Sequence, residues 1–155
     1  MKLTPAQFRD ALGLTQETLR HWRRVLPPFQ GVTGYAPVFT TGDLIAGAVI
    51  KTLVDTCGIS VSKFAKQATS IAATCNETPW IELSKSVLIL SLKDATCALA
   101  ASSTKTMQLT PSVSIPLSPI LEGLTQAMMC DTDDLRTSRA FDAKLATQQE
   151  SRAES

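Results

Sequence analysis

Leu14-Thr-Gln-Glu-Thr-Leu-Arg-His-Trp-Arg-Arg24 decides how the N-terminal half of the chain folds. Thr15 has the side-chain oxygen needed to cap a helix. Leu19, Trp22 and, two residues past the stretch, Leu26 recur at i, i+3 and i+7, the spacing of one buried helical stripe. Gln16, Glu17, Arg20, Arg23 and Arg24 fall largely on the other sides. The segment therefore predicts a short amphipathic helix with a cationic free surface. Gly13, just before it, suits a left-handed turn residue at the end of a preceding helix.

That preceding helix starts at Thr4-Pro5-Ala6-Gln7. Thr4 caps it, Pro5 fits the first helical position, and Gln7 completes a capping box. Phe8, Ala11 and Leu12 form its apolar face, on which Leu19, Trp22 and Leu26 are expected to pack, with Leu14 as a further packing residue. Two helices joined by a short glycine turn, the second cationic, make the helix-turn-helix arrangement. In it, Gln16 and Glu17 stand at the end that reaches base edges. Glu17 can accept from a cytosine amino group and Gln16 can pair with adenine. Arg20, Arg23 and Arg24 suit phosphates, or guanine where they point into the groove. The competing reading is an ordinary solvated helix face.

Further along, Pro27-Pro28 stops the second helix, since proline lacks the amide donor and clashes with the preceding turn. Gly31-Val-Thr-Gly-Tyr-Ala-Pro-Val-Phe39 reads as a small hairpin wing turned by Gly31 and Gly34. Thr40 or Thr41 caps a third helix, with Asp43 in its first turn. Its stripe is Ala46, Val49, Ile50, Leu53 and Cys57, and Gly58 ends it. Ser60 caps a fourth helix with Phe64, Ala68, Ile71 and Cys75 inward and Lys63 and Lys66 outward.

This order resembles the winged-helix DNA-binding domain of the MerR family. The matching residues are Ala11-Leu-Gly-Leu-Thr15, Thr18-Leu-Arg-His-Trp22, Pro27 and Pro28, Gly34-Tyr35, Phe39-Thr-Thr-Gly-Asp-Leu44, Ile50, Leu53 and Gly58-Ile-Ser60, within residues 4–72. The resemblance implies a homodimer on a palindromic site, with the second helix in the major groove and the wing on flanking backbone. It puts Arg20 on phosphate and Tyr35 on the wing. The residue reading and the resemblance together place Thr15, Gln16, Glu17, Thr18, Arg20, His21, Arg23, Arg24 and Tyr35 at the DNA. One departure matters. The family usually has arginine after the wing tyrosine, whereas Ala36 and Pro37 follow here, so a phosphate contact is lost that Arg23 and Arg24 can offset.

MerR-like activators usually continue into a long coiled-coil helix, and this chain does not. A break at Asn76-Glu-Thr-Pro79 precedes Trp80-Ile-Glu-Leu83 and Ser86-Val-Leu-Ile-Leu-Ser-Leu92, which read as strand. Lys93-Asp94 makes a turn and Thr96-Cys-Ala-Leu-Ala100 a return strand. Met107, Leu109, Val113, Ile115 and Leu117 alternate as a third strand, kept at an edge or bend by Pro111 and Pro116. Ser118-Pro119 starts a helix with Ile120, Leu121, Leu124 and Met128. So small a unit needs a partner surface, either the N-terminal domain or, preferably, the same unit of a second chain. A small-molecule effector pocket is the less favoured alternative, because no polar residues converge there.

Length and composition bound these readings. The 155 residues, 44% hydrophobic, suffice to bury a core. Residues 1–75 carry eight cations and four acids, a net charge of +4; residues 76–155 carry seven cations and ten acids, a net charge of −3. A basic first half suits a polyanion. No apolar run reaches membrane-spanning length, and Met1-Lys-Leu-Thr-Pro5 lacks a secretory apolar segment, so a cytoplasmic location is expected. The four cysteines lack any Cys-x-x-Cys spacing and His21 is the lone histidine, which argues against a zinc site and against acid–base catalysis. Buried free thiols are the expectation.

The whole chain thus reads as α+β: a MerR-like winged helix-turn-helix domain over 1–75, a small β-rich dimerisation or effector unit with one helix over 80–147, and a flexible tail over 148–155. The expected function is a sequence-specific transcriptional regulator, a homodimeric repressor suited to a phage or other mobile element, with no cofactor, no metal, no membrane and no catalysis. Its rivals are an architectural, excisionase-like DNA-bending protein and a protein-interaction module that has lost DNA binding.

Overall fold

Two local signals set the N-terminal geometry. Thr4 Oγ1 accepts from the Gln7 amide (3.2 Å) while Gln7 Oε1 accepts from the Thr4 amide (2.9 Å), which starts α1, Pro5–Leu12. Gly13 ends it at φ 64°, and its amide and that of Leu14 return to the Asp10 and Arg9 carbonyls. Thr15 then caps α2, Gln16–Val25, by accepting from the Thr18 amide at 3.1 Å. Leu26 is extended, and Pro27–Phe29 form a 3-10 turn.

The computed structural model describes residues 1–31, 36–103 and 110–130. It is a mixed α+β chain, with six α-helices and two small antiparallel sheets among those residues. The wing turn, including Gly34 and Tyr35, falls outside them. After it, β2, Phe39–Thr40, pairs antiparallel with β1, Lys2–Leu3, at the N-terminus. Phe39 is thereby pinned beside Phe8, rings stacked at 4.1 Å, and both meet Phe29 edge-on at 5.9 and 5.5 Å. This aromatic triad, each member almost fully buried, holds α1, the 3-10 turn and β2 together.

α3, Thr41–Cys57, begins with a second capping box, formed by Thr40 and Asp43, and ends at Gly58, φ 65°. It is the central helix, buried continuously from Leu44 to Ile50 and not along one stripe. Cys57, expected in that stripe, is exposed, as are Asp55 and Thr56 beside it in the last turn of α3. Ser60 does not cap the fourth helix. It precedes a 3-10 turn at Val61–Phe64 without a side-chain cap, and α4 spans Ala65–Glu77. Phe64, Ala68, Ile71 and Cys75 face inward, with Lys63 and Lys66 exposed.

Trp80–Leu83, expected as strand, is a helical turn, α5. Pro79 sets its start, the Leu83 and Ser84 amides donate to the Pro79 and Trp80 carbonyls, and Ser84 and Ser86 hydroxyls bond back to Ile81 and Glu82. Local bonding outweighs the β-preference of so short a run. Three strands follow: β3, Ser86–Ser91; β4, Cys97–Ala101; and β5, Ser112–Pro116. Their order is β4-β3-β5, so Leu88 at the centre faces Leu99 on one side and Ile115 on the other. The Met107–Leu109 part of the expected third strand lies outside the described residues. Helix α6 starts at residue 117, with Leu117, Leu121 and Leu124 buried.

Met1–Leu124 form one compact unit, in which α4 touches the three-stranded sheet. Ser70 on α4 donates to the Ala95 carbonyl at 2.9 Å, and Ala95 holds a left-handed φ of 52° in the β3–β4 connection. A second unit comprises Thr125–Ser155, of which residues 125–130 are described and helical. No helix among the described residues is long and apolar enough to cross a membrane.

Candidate nucleic-acid interface

α2 presents two parallel stripes. Leu19, Trp22 and Leu26 anchor it in the core at 5%, 3% and 0% exposure. Gln16, Arg20 and Arg23, at i, i+4 and i+7, form the stripe on the side of α1; Glu17, His21 and Arg24 form the next one, which is exposed. Thr15 and Thr18, expected at the DNA, use their hydroxyls on each other at 2.8 Å, so they fix the helix start. Tyr35 lies outside the described residues.

The first stripe lines an open cavity of about 330 Å³ with Pro5, Ala6 and Arg9 of α1 and Leu19. Three arginines therefore line one concave surface. Arg9 pairs with Asp10 at 2.9 Å and Arg20 with Glu17 at 3.7 Å, whereas Arg23 has no ion pair among the described residues. Exposed pairs of this kind are weak and yield readily to a better anion. Arg23 and Arg24 also sit in the last turn of α2, where they favour the negative end of the helix dipole. Gln30 Nε2 donates to the Arg24 carbonyl at 2.7 Å and closes that end.

Arg9 was not foreseen from sequence. Its only local sign is the i, i+4 spacing from Pro5; which flank of α1 faces α2 depends on how the two helices cross.

The thiols are not uniformly buried, as the sequence had suggested. Cys57 and Cys130 are exposed, Cys97 is half-buried and only Cys75 is buried, all four being free. Burial pushes the Cys75 thiol up to about 12, with smaller contributions from Cys97 and Asp43. Burial also raises Cys97, against a lowering hydrogen bond from Thr74. No group of three or more His, Cys, Asp or Glu among the described residues could hold a metal ion.

A second cavity, about 390 Å³, lies between α3 and α6, and its charged pair, Lys51 and Asp55, is closed on itself at 3.2 Å. No family model, curated protein or solved structure matches this chain.

Proposed function

We propose that the chain is a sequence-specific DNA-binding regulator of the winged helix-turn-helix, MerR-like type, and that α2 is its groove-reading helix. The observation that carries this reading is the division of α2 into a buried anchor and an exposed face of Gln16, Glu17, Arg20, His21 and Arg24 beside a three-arginine groove. Polar side chains at the first turn suit base edges, and cations further along suit phosphates. In this reading two copies act on a palindromic operator as a repressor, because a helix this short reads only a few base pairs and a second copy supplies the other half-site. The β-rich segment after Pro79 is the part that joins the copies.

Selection from a randomised duplex pool tests the reading. A palindromic motif with half-sites about one helical turn apart is expected. Arg20→Ala should then weaken binding to every duplex, and Gln16→Ala should relax base preference within the motif. No enrichment, together with no retention on duplex DNA at low salt, would overturn it in favour of a protein-interaction module.

A further inference from the structure

We infer that Arg9 is a DNA-contact residue, and that Arg9, Arg20 and Arg23 together clamp a single backbone phosphate in the groove between α1 and α2. This rests on the DNA-binding reading above and adds to it a site on α1. Three features point to it. The groove is lined by three arginines and no acidic residue. With the two acids that flank it, Asp10 and Glu17, the cluster has a net charge of +1, matched to one phosphodiester. Arg9 is also the most sheltered of the paired arginines, its side chain 32% exposed against 63% for Arg20, so less rotamer freedom is lost on binding. Guanidinium forks are suited to phosphate oxygens, and the first turn of α1, Pro5 and Ala6, brings the positive end of a helix dipole to the same place.

Gln16 is the first residue of α2, and Arg20 and Arg23 follow it along the same side of that helix. A phosphate held there would fix how far the first turn of α2 enters the major groove. Arg9 would act as a register contact, with no base preference of its own.

The test is anisotropy titration of a labelled 20-base-pair duplex between 50 and 200 mM salt, with wild type, Arg9→Gln, Arg9→Lys and Asp10→Asn. One phosphate contact contributes a slope of about 0.9 in log affinity against log salt, or roughly fifteenfold in affinity at 50 mM relative to 1 M. Arg9→Gln should lose about that much at 50 mM, and its decline across the range should be about 3.5-fold smaller. Arg9→Lys should keep the salt slope. Asp10→Asn, which frees Arg9 from its competing partner, should bind more tightly than wild type. Should Arg9→Gln fail to fold, Asp10→Asn decides: affinity equal to or below wild type overturns the clamp. Arg9→Gln with wild-type affinity and slope, while Arg20→Gln loses both, removes Arg9 alone and leaves the DNA reading standing. Wild type showing no salt-dependent duplex binding removes both.

Discussion

Gly47→Ala sets two known effects against each other. Alanine is about 1 kcal/mol better than glycine inside a helix, so on an open surface this change would stabilise α3. Here the added Cβ would lie 2.8 Å from Leu12 Cδ1 and 2.9 Å from Phe8 Cζ. The Leu12 methyl can rotate, at some loss of burial. The Phe8 ring cannot retreat easily, being stacked on Phe39 at 4.1 Å and edge-on to Phe29 at 5.5 Å. Overpacking of this kind costs about 1–3 kcal/mol. The net expectation is a destabilisation of up to about 2 kcal/mol. Urea unfolding should show it as a lower midpoint at unchanged slope. Leu12→Ala removes one of the two clashing groups, so the penalty for Gly47→Ala should shrink by about 1 kcal/mol in that background. Because α1 carries Arg9, displacing it should also weaken duplex binding in a variant that remains folded. A Gly47→Ala protein more stable than wild type by the full helix-propensity gain would refute this seating of α1 on α3.

Three further outcomes are expected. Thr15→Ala removes the α2 cap and its bond to Thr18, and should cost about 1 kcal/mol in thermal or urea unfolding. Ala95→Gly relieves a left-handed alanine, and should leave stability unchanged or raise it by about 1 kcal/mol, whereas an alanine in ordinary backbone would lose stability. Thiol titration at pH 8 should find Cys57 and Cys130 fast and Cys75 protected in the native state. Because the folded Cys75 value, about 12, lies above the ordinary 9.0, the unfolded chain releases this proton first. Stability should therefore fall as pH rises from 9 towards 12, with no contribution below 9, and Cys75→Ala should remove that component.

The elements legible in sequence are those fixed by neighbours within a few residues. Thr4, Gln7, Thr15, Thr40 and Asp43 cap the helices as their spacing implies, and Gly13 and Gly58 end helices in the left-handed region. Such signals need only one turn of chain to act. The misread parts depend on distant partners or on competing local bonds. Two-residue strands such as Lys2–Leu3 carry no period, so their pairing with Phe39–Thr40 cannot be seen before the chain is folded. Phe29 and Phe39 look like turn and wing residues until Phe8 brings them together. Trp80-Ile-Glu-Leu83 has the composition of a strand, but Pro79 and two serine hydroxyls close it into a turn. At the candidate interface the α2 stripe follows from a 3.6-residue period. The groove it shares with Arg9 required the crossing of two helices.

Amide chemical-shift mapping of the labelled protein against a short duplex tests the central proposal most directly. The expected result is a set of salt-sensitive shifts concentrated at Arg9 and residues 15–24, with the three-stranded sheet unmoved. Shifts confined to residues 86–116, or none at duplex concentrations above 100 micromolar, where even non-specific DNA binding is populated at roughly 10⁻⁴ to 10⁻⁶ M, would contradict it.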